Sequence, residues 1–173
     1  MKLFHLSEDP NIALFEPRPS AHTGEPVVWA ISDTRIANYL LPRDCPRVCF
    51  RAGPESAPGD VERFLGGDRV VIAIEAAWEE QLRTHFLYRY AMPDDGFVLQ
   101  DECAGYWVSY DAIEPLWMEM LDDLRSAIAA EGVTLKVLPS LWDLHDGVKA
   151  SSLVFSMIRM RNALPRELAQ VIK

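Results

Sequence analysis

Residues 3–10 read LFHLSEDP, and the reading of the fold starts from whether this first apolar run is a strand. Strand alternation puts Leu3, His5 and Ser7 on one face and Phe4 and Leu6 on the other. An imidazole and a hydroxyl then stand side by side near the N-terminus. They either line a cleft or are hydrogen-bonded within a core.

Moving outward, VVWAIS at 27–32 is a short, β-branched apolar run of strand type. Asp33-Thr34 is a plausible helix cap before RIANYLL, where Ile36, Tyr39 and Leu40 share a helical face and Pro42 ends the run. RVCFRA at 47–52 is the next strand, and the Pro/Gly-rich GPESAPGD leads into a short helix near Val61–Leu65. DRVVIAIEAAW at 68–78 begins as a continuous apolar strand and turns helical through AAWEEQLRT. HFLYRYAM at 85–92 alternates, with Phe86, Tyr88 and Tyr90 on one side, and Pro93-Asp94-Asp95-Gly96 is a turn. GYWVSYD (105–111) and EPLWMEML (114–121) read as further strands or extended segments. Asp122–Glu131 reads as a helix stopped by Gly132, and VTLKVLP (133–139) as a last strand. From Ser151 to Leu164, the residues Leu153, Met157, Met160 and Leu164 fall on one helical stripe. Strands predominate and helices separate some of them, so the predicted class is α+β. With no internal repeat or break in composition, residues 1–173 are expected to form a single domain.

Composition narrows the function classes. Apolar residues make up 49% of the 173 and charged residues 25%, the mix of a soluble globular protein with ample core. A net charge of −9 argues against a broad nucleic-acid surface, which needs a basic stripe, but leaves room for a local basic pocket. No run approaches the roughly 18 apolar residues of a membrane span, and MKLFHLSEDP lacks a signal peptide's apolar stretch. The expected setting is cytoplasmic, with the three cysteines reduced. Cys45 and Cys49 with distant Cys103 could form a three-thiolate metal site, but buried free thiols account for them better.

Phosphate-cradling P-loops, dinucleotide-binding glycine motifs, His-Glu-x-x-His and nucleophile elbows are all missing. Among the local groupings, PRDCPR at 42–47 gathers Arg43 and Arg47, with Arg51 close behind. Guanidinium groups in an acidic chain suit a phosphate or carboxylate ligand. The plainer reading has them paired with surface carboxylates. Arg159 and Arg161 pose the same choice. His145, between two acids in SLWDLHDGVKASS, reads as a surface-loop residue and a weak metal candidate.

The segments LFHLSEDPNIALFEPRPS, VVWAI, NYLLPRDCPR and LYRY…GYWVSYDAIEPL resemble a small bacterial family of unknown function along nearly the whole chain. A first-strand histidine, a strand entering a tyrosine-bearing helix and a late Trp-Val-Ser strand are, more distantly, similar to the ADP-ribosyltransferase-like superfamily. That resemblance implies a mainly antiparallel split sheet with flanking helices, and NAD as cofactor. It implies that His5 hydrogen-bonds the adenosine-side ribose, and that Trp29 or Ser32, with Tyr39, forms the nicotinamide-side motif. The superfamily's catalytic glutamate balances positive charge on the anomeric carbon. At that position this chain has Tyr106, a phenol where the superfamily has a carboxylate. Glu102 lies upstream and Glu114 downstream of the motif position.

Three functions follow as expectations. The chain is an NAD- or nucleotide-handling enzyme, with His5 orienting the ribose, Tyr39 stacking on a base, Arg43 or Arg47 on a pyrophosphate and Glu102 as catalytic carboxylate. Alternatively it is a binding module for a small molecule, nucleotide or protein that has lost the acid. Or it binds a protein partner through aromatics such as Trp117, Trp142 and Phe155, a residue type that interfaces favour.

Overall fold

The computed structural model describes residues 1–169, which are α+β and divide into two compact units. The first comprises Met1–Leu40 and Phe86–Asp122; the second comprises Leu41–His85 and the residues from Asp123 onward.

The first unit is a six-stranded antiparallel sheet. Its strands are β1 (Leu3–Ser7), β2 (Val28–Ser32), β5 (Leu87–Met92), β6 (Val98–Asp101), β7 (Tyr106–Ser109) and β8 (Trp117–Leu121), in the order β6-β7-β2-β1-β5-β8. The LFHLS run is indeed a strand. Directly opposed residues share a face, so the register sets Leu3 with Ser32 and Met92, and His5 with Tyr90. On that face Leu3, Val28, Ala30, Tyr90 and Met92 form a core with Phe15, Phe97 and Ile113. The irregular segment after β1 is fastened over this core. Phe15 and Ile113 exchange backbone bonds of 2.9 Å, and the Tyr90 hydroxyl donates to Asp9 O at 2.7 Å. The RIANYLL helix is a single 3-10 turn, Ile36–Tyr39.

The second unit holds β3 (Arg47–Arg51), β4 (Val70–Glu75), β9 (Thr134–Leu138) and β10 (Val154–Ile158), in the order β10-β3-β4-β9. Only β4 and β9 run parallel. Val71 through Ile74 are wholly buried, as expected of a continuous apolar strand covered on both faces. The helices are α1 (Pro58–Phe64), α2 (Glu79–Thr84), α3 (Leu124–Ala130), α4 (Trp142–Lys149) and α5 (Arg166–Ala169). Pro58 opens α1 where its missing N–H costs nothing. Asp123 caps α3 by accepting from Ser126 N at 2.9 Å, and Gly132, at φ 71°, follows it.

Two local expectations are corrected. Residues 151–164 are not a helix: β10 pairs with β3 over five positions, and Arg159, at φ 55°, turns the chain into a 3-10 turn at Met160–Asn162. Pairing with a central strand outweighs the helical spacing of Leu153, Met157 and Met160, which pack on the second unit's core. SLWDLHDGVKASS is not a loop: α4 spans most of it and buries Val148. β6 has four exposed residues and is held by its pairing with β7.

A candidate ligand site where the sheet opens

β1 pairs with β5 along all five of its residues, Leu3 to Ser7. With β2 it makes two pairs, Leu3–Ser32 and Phe4–Ile31. β2, for its part, is paired with β7 over Val28 to Ile31. The two strands are therefore well held on their outer sides and part from one another after Phe4. At the next residue, side chain replaces backbone: His5 Nδ1 lies 2.8 Å from Trp29 O. A carbonyl only accepts, so Nδ1 is the donor and carries the proton. In the neutral ring the acceptor nitrogen is then Nε2. The half-buried imidazole packs on Phe15 at 4.6 Å between centroids, and Phe15 meets Tyr90 edge-on at 5.2 Å.

The other expected site residues of this unit separate by face. Ser32 shares the side of Leu3 and His5 and is buried; its N–H donates to Gly105 O at 2.9 Å and its hydroxyl lies 3.0 Å from Thr34 Oγ1. Trp29 points the other way, with Phe4 and Ile31. There its ring meets Tyr106 edge-on at 5.2 Å, and Tyr106 lies 5.6 Å from Tyr39. Tyr106 thus bridges Trp29 and Tyr39 on the face opposite His5. Glu102 is exposed in the turn joining β6 to β7. Arg35 ties that turn down through Nε to Cys103 O at 3.1 Å. Gly105 must be glycine: its φ is 73°, and a Cβ there would fall 2.6 Å from Arg35 Cβ and Cγ.

Arg43 and Arg47 belong to the second unit. Arg43 is exposed, and its carbonyl accepts from Arg159 Nε at 3.3 Å. Arg47 is not a surface cation. It is 3% exposed, and Nη1 donates to Cys45 O at 2.9 Å and Pro42 O at 3.3 Å. Glu75, also 3% exposed, accepts from Leu164 N at 2.9 Å and Leu141 N at 3.3 Å. Among the described residues no three His, Cys, Asp or Glu side chains form a metal-binding group. Cys45 and Cys49 are buried, whereas Cys103 is exposed, contrary to the expectation of three buried thiols. No helix among the described residues is long and apolar enough to cross a membrane.

Sequence reasoning named His5 but missed its neighbours Phe15 and Tyr90. Tyr90 was legible, since it alternates with Tyr88 in a strand that must pair with something. Phe15 lies outside the regular strands, where no periodicity marks it.

A family of unknown function, DUF6886, matches residues 4–163, and the chain belongs to that family. No curated protein and no solved structure matches it.

Proposed function

We propose that this member of DUF6886 is a binding module for a nucleotide-like ligand such as NAD or ADP-ribose, seated where β1 and β2 part. One observation carries the reading: the β1–β2 ladder stops after Phe4–Ile31, and the His5 imidazole takes the Trp29 carbonyl beyond it. A histidine oriented by a backbone carbonyl presents its second nitrogen in a fixed direction, as recognition of a ribose hydroxyl requires. The distant resemblance to the ADP-ribosyltransferase-like superfamily, which uses a first-strand histidine this way, supports the same assignment.

The residues fit the adenosine side of NAD and not its reacting side. His5 stands at the opening and supplies a ring nitrogen; buried Ser32, opposite Leu3 on the same face, brings a hydroxyl from the paired end of the ladder. NAD would bring an electrophilic anomeric carbon, whose positive charge calls for a carboxylate. Tyr106 offers none, and its ring is engaged with Trp29 and Tyr39 on the opposite face. Binding without turnover is therefore the function we assign.

A thermal-shift screen with NAD, ADP-ribose and nucleoside monophosphates tests it. A ligand at a hundred times its dissociation constant adds about 2.7 kcal/mol of stability. That gain should vanish in His5→Ala and persist in Cys103→Ala. Release of nicotinamide that Glu102→Gln abolishes would replace the module with an enzyme. No stabilisation by any of these compounds would remove the proposal.

A further inference from the structure

Strand β8 forms one edge of the six-stranded sheet, and its side chains are not those of a guarded edge. Monomeric proteins block edge strands with charges, bulges or proline, because an open ladder invites another strand. Here Trp117, Met118 and Met120 are 48%, 40% and 52% exposed, and Leu116 just before them is 66% exposed. The strand's one charged residue, Glu119, is neutralised from within: Arg89 of β5 donates to it through Nε at 2.7 Å.

We propose that β8 pairs antiparallel with β8 of a second copy of this chain, about a two-fold axis at Glu119, joining two six-stranded sheets into one. The sequence WMEML is self-complementary in that register. Met118 falls opposite the partner's Met120, and Trp117 opposite the partner's Leu121. Within the chain, Met118 pairs with Tyr90 and Met120 with Tyr88, so both methionines share one face. Trp117 and Glu119 occupy the other. On that face two glutamates meet at the axis with an arginine beside each, an alternation of charges instead of an isolated like pair. A second copy satisfies the apolar spacing and the central charges together by symmetry, and an isologous contact of this kind closes on itself as a dimer.

Sedimentation equilibrium of the full chain decides the matter. The expected mass is that of two chains at micromolar concentration. Met120→Lys should reduce it to one chain, while Val98→Lys, on the opposite exposed edge, should leave it at two. In a Cys103→Ser background, Glu119→Cys treated with diamide should cross-link two copies, because directly opposed residues of an antiparallel pair hold their Cβ atoms about 4.5–5.5 Å apart. Tyr110→Cys, exposed but outside the strand, should not cross-link. A wild-type chain that sediments at the mass of one copy throughout the micromolar range overturns the proposal. So does a dimer that Val98→Lys dissociates and Met120→Lys does not.

Discussion

His5 Nδ1 donates to the carbonyl oxygen of Trp29 at 2.8 Å, immediately beyond the last ladder pair between their two strands. The bond spans the point where the sheet opens, and it ties the histidine to the strand whose side chain, Trp29, faces away from it. In the neutral ring the proton must therefore reside on Nδ1, and nitrogen NMR of the imidazole should show that tautomer. His5→Ala removes this hydrogen bond, whose loss should cost about 1 kcal/mol. An Nε2–H tautomer, or an alanine variant as stable as wild type, would contradict this geometry.

The three thiols should differ sharply in reactivity. Burial pushes Cys45 and Cys49 up to about 12, against the opposing charge of nearby Arg47, so neither forms much thiolate near neutral pH. Cys103 is exposed. A disulfide reagent applied to the native protein should modify one cysteine rapidly and all three only after denaturation. Rapid modification of two or more in the folded state would show that Cys45 or Cys49 is open to solvent.

β1 through β5 were legible because each alternates or runs continuously apolar, and β4 keeps that signal with both faces covered. Val98–Asp101 was not, because four exposed residues carry no burial pattern and only the β7 partner makes them a strand. Residues 151–164 misled for the opposite reason. Leu153, Met157 and Met160 satisfy a helical period by coincidence, while the second unit's central strand decides their conformation. At the site, His5's own face followed from alternation within one strand. That Trp29 and Tyr106 lie across the sheet from it depends on register between strands, which no single strand's letters contain. Arg47's burial was equally hidden, since the carbonyls that receive it come from the loop of Pro42 and Cys45.

Acid should weaken the second unit through Asp146. Arg166 donates to both its carboxylate oxygens at 2.7 and 2.8 Å, and His145 Nδ1 donates at 2.8 Å. The Arg166 bonds first, and the His145 bond second, hold this carboxyl well below the usual carboxylate range. The folded value lies beneath the unfolded one of about 3.9, so the unfolded chain takes the proton first as acid is added. The contribution is present above that unfolded value and is lost as the pH falls below it. Asp146→Asn should thus lower the thermal midpoint at neutral pH, with the gap to wild type closing below about pH 4 and shrinking in salt, as for exposed pairs. A gap constant from neutral to strongly acidic pH would exclude this linkage.

Glu75 should prove the most sensitive polar position of the second unit. It ends β4, is 3% exposed, and accepts from the N–H groups of Leu141, ahead of α4, and Leu164, beyond β10. One carboxylate therefore satisfies two backbone donors brought together from separate parts of the chain. Glu75→Ala leaves both without their acceptor; an unsatisfied buried group such as Leu141 N–H costs about 1–3 kcal/mol, and the half-buried Leu164 N–H adds less. Glu75→Gln keeps one acceptor oxygen of the same reach, so it should lose markedly less. Urea unfolding can separate the two variants: the midpoint should fall further for alanine than for glutamine at an unchanged m value, since the surface exposed on unfolding is the same. Equal losses would mean that the carboxylate's charge, and not its hydrogen bonds to Leu141 and Leu164, is what the fold requires at Glu75.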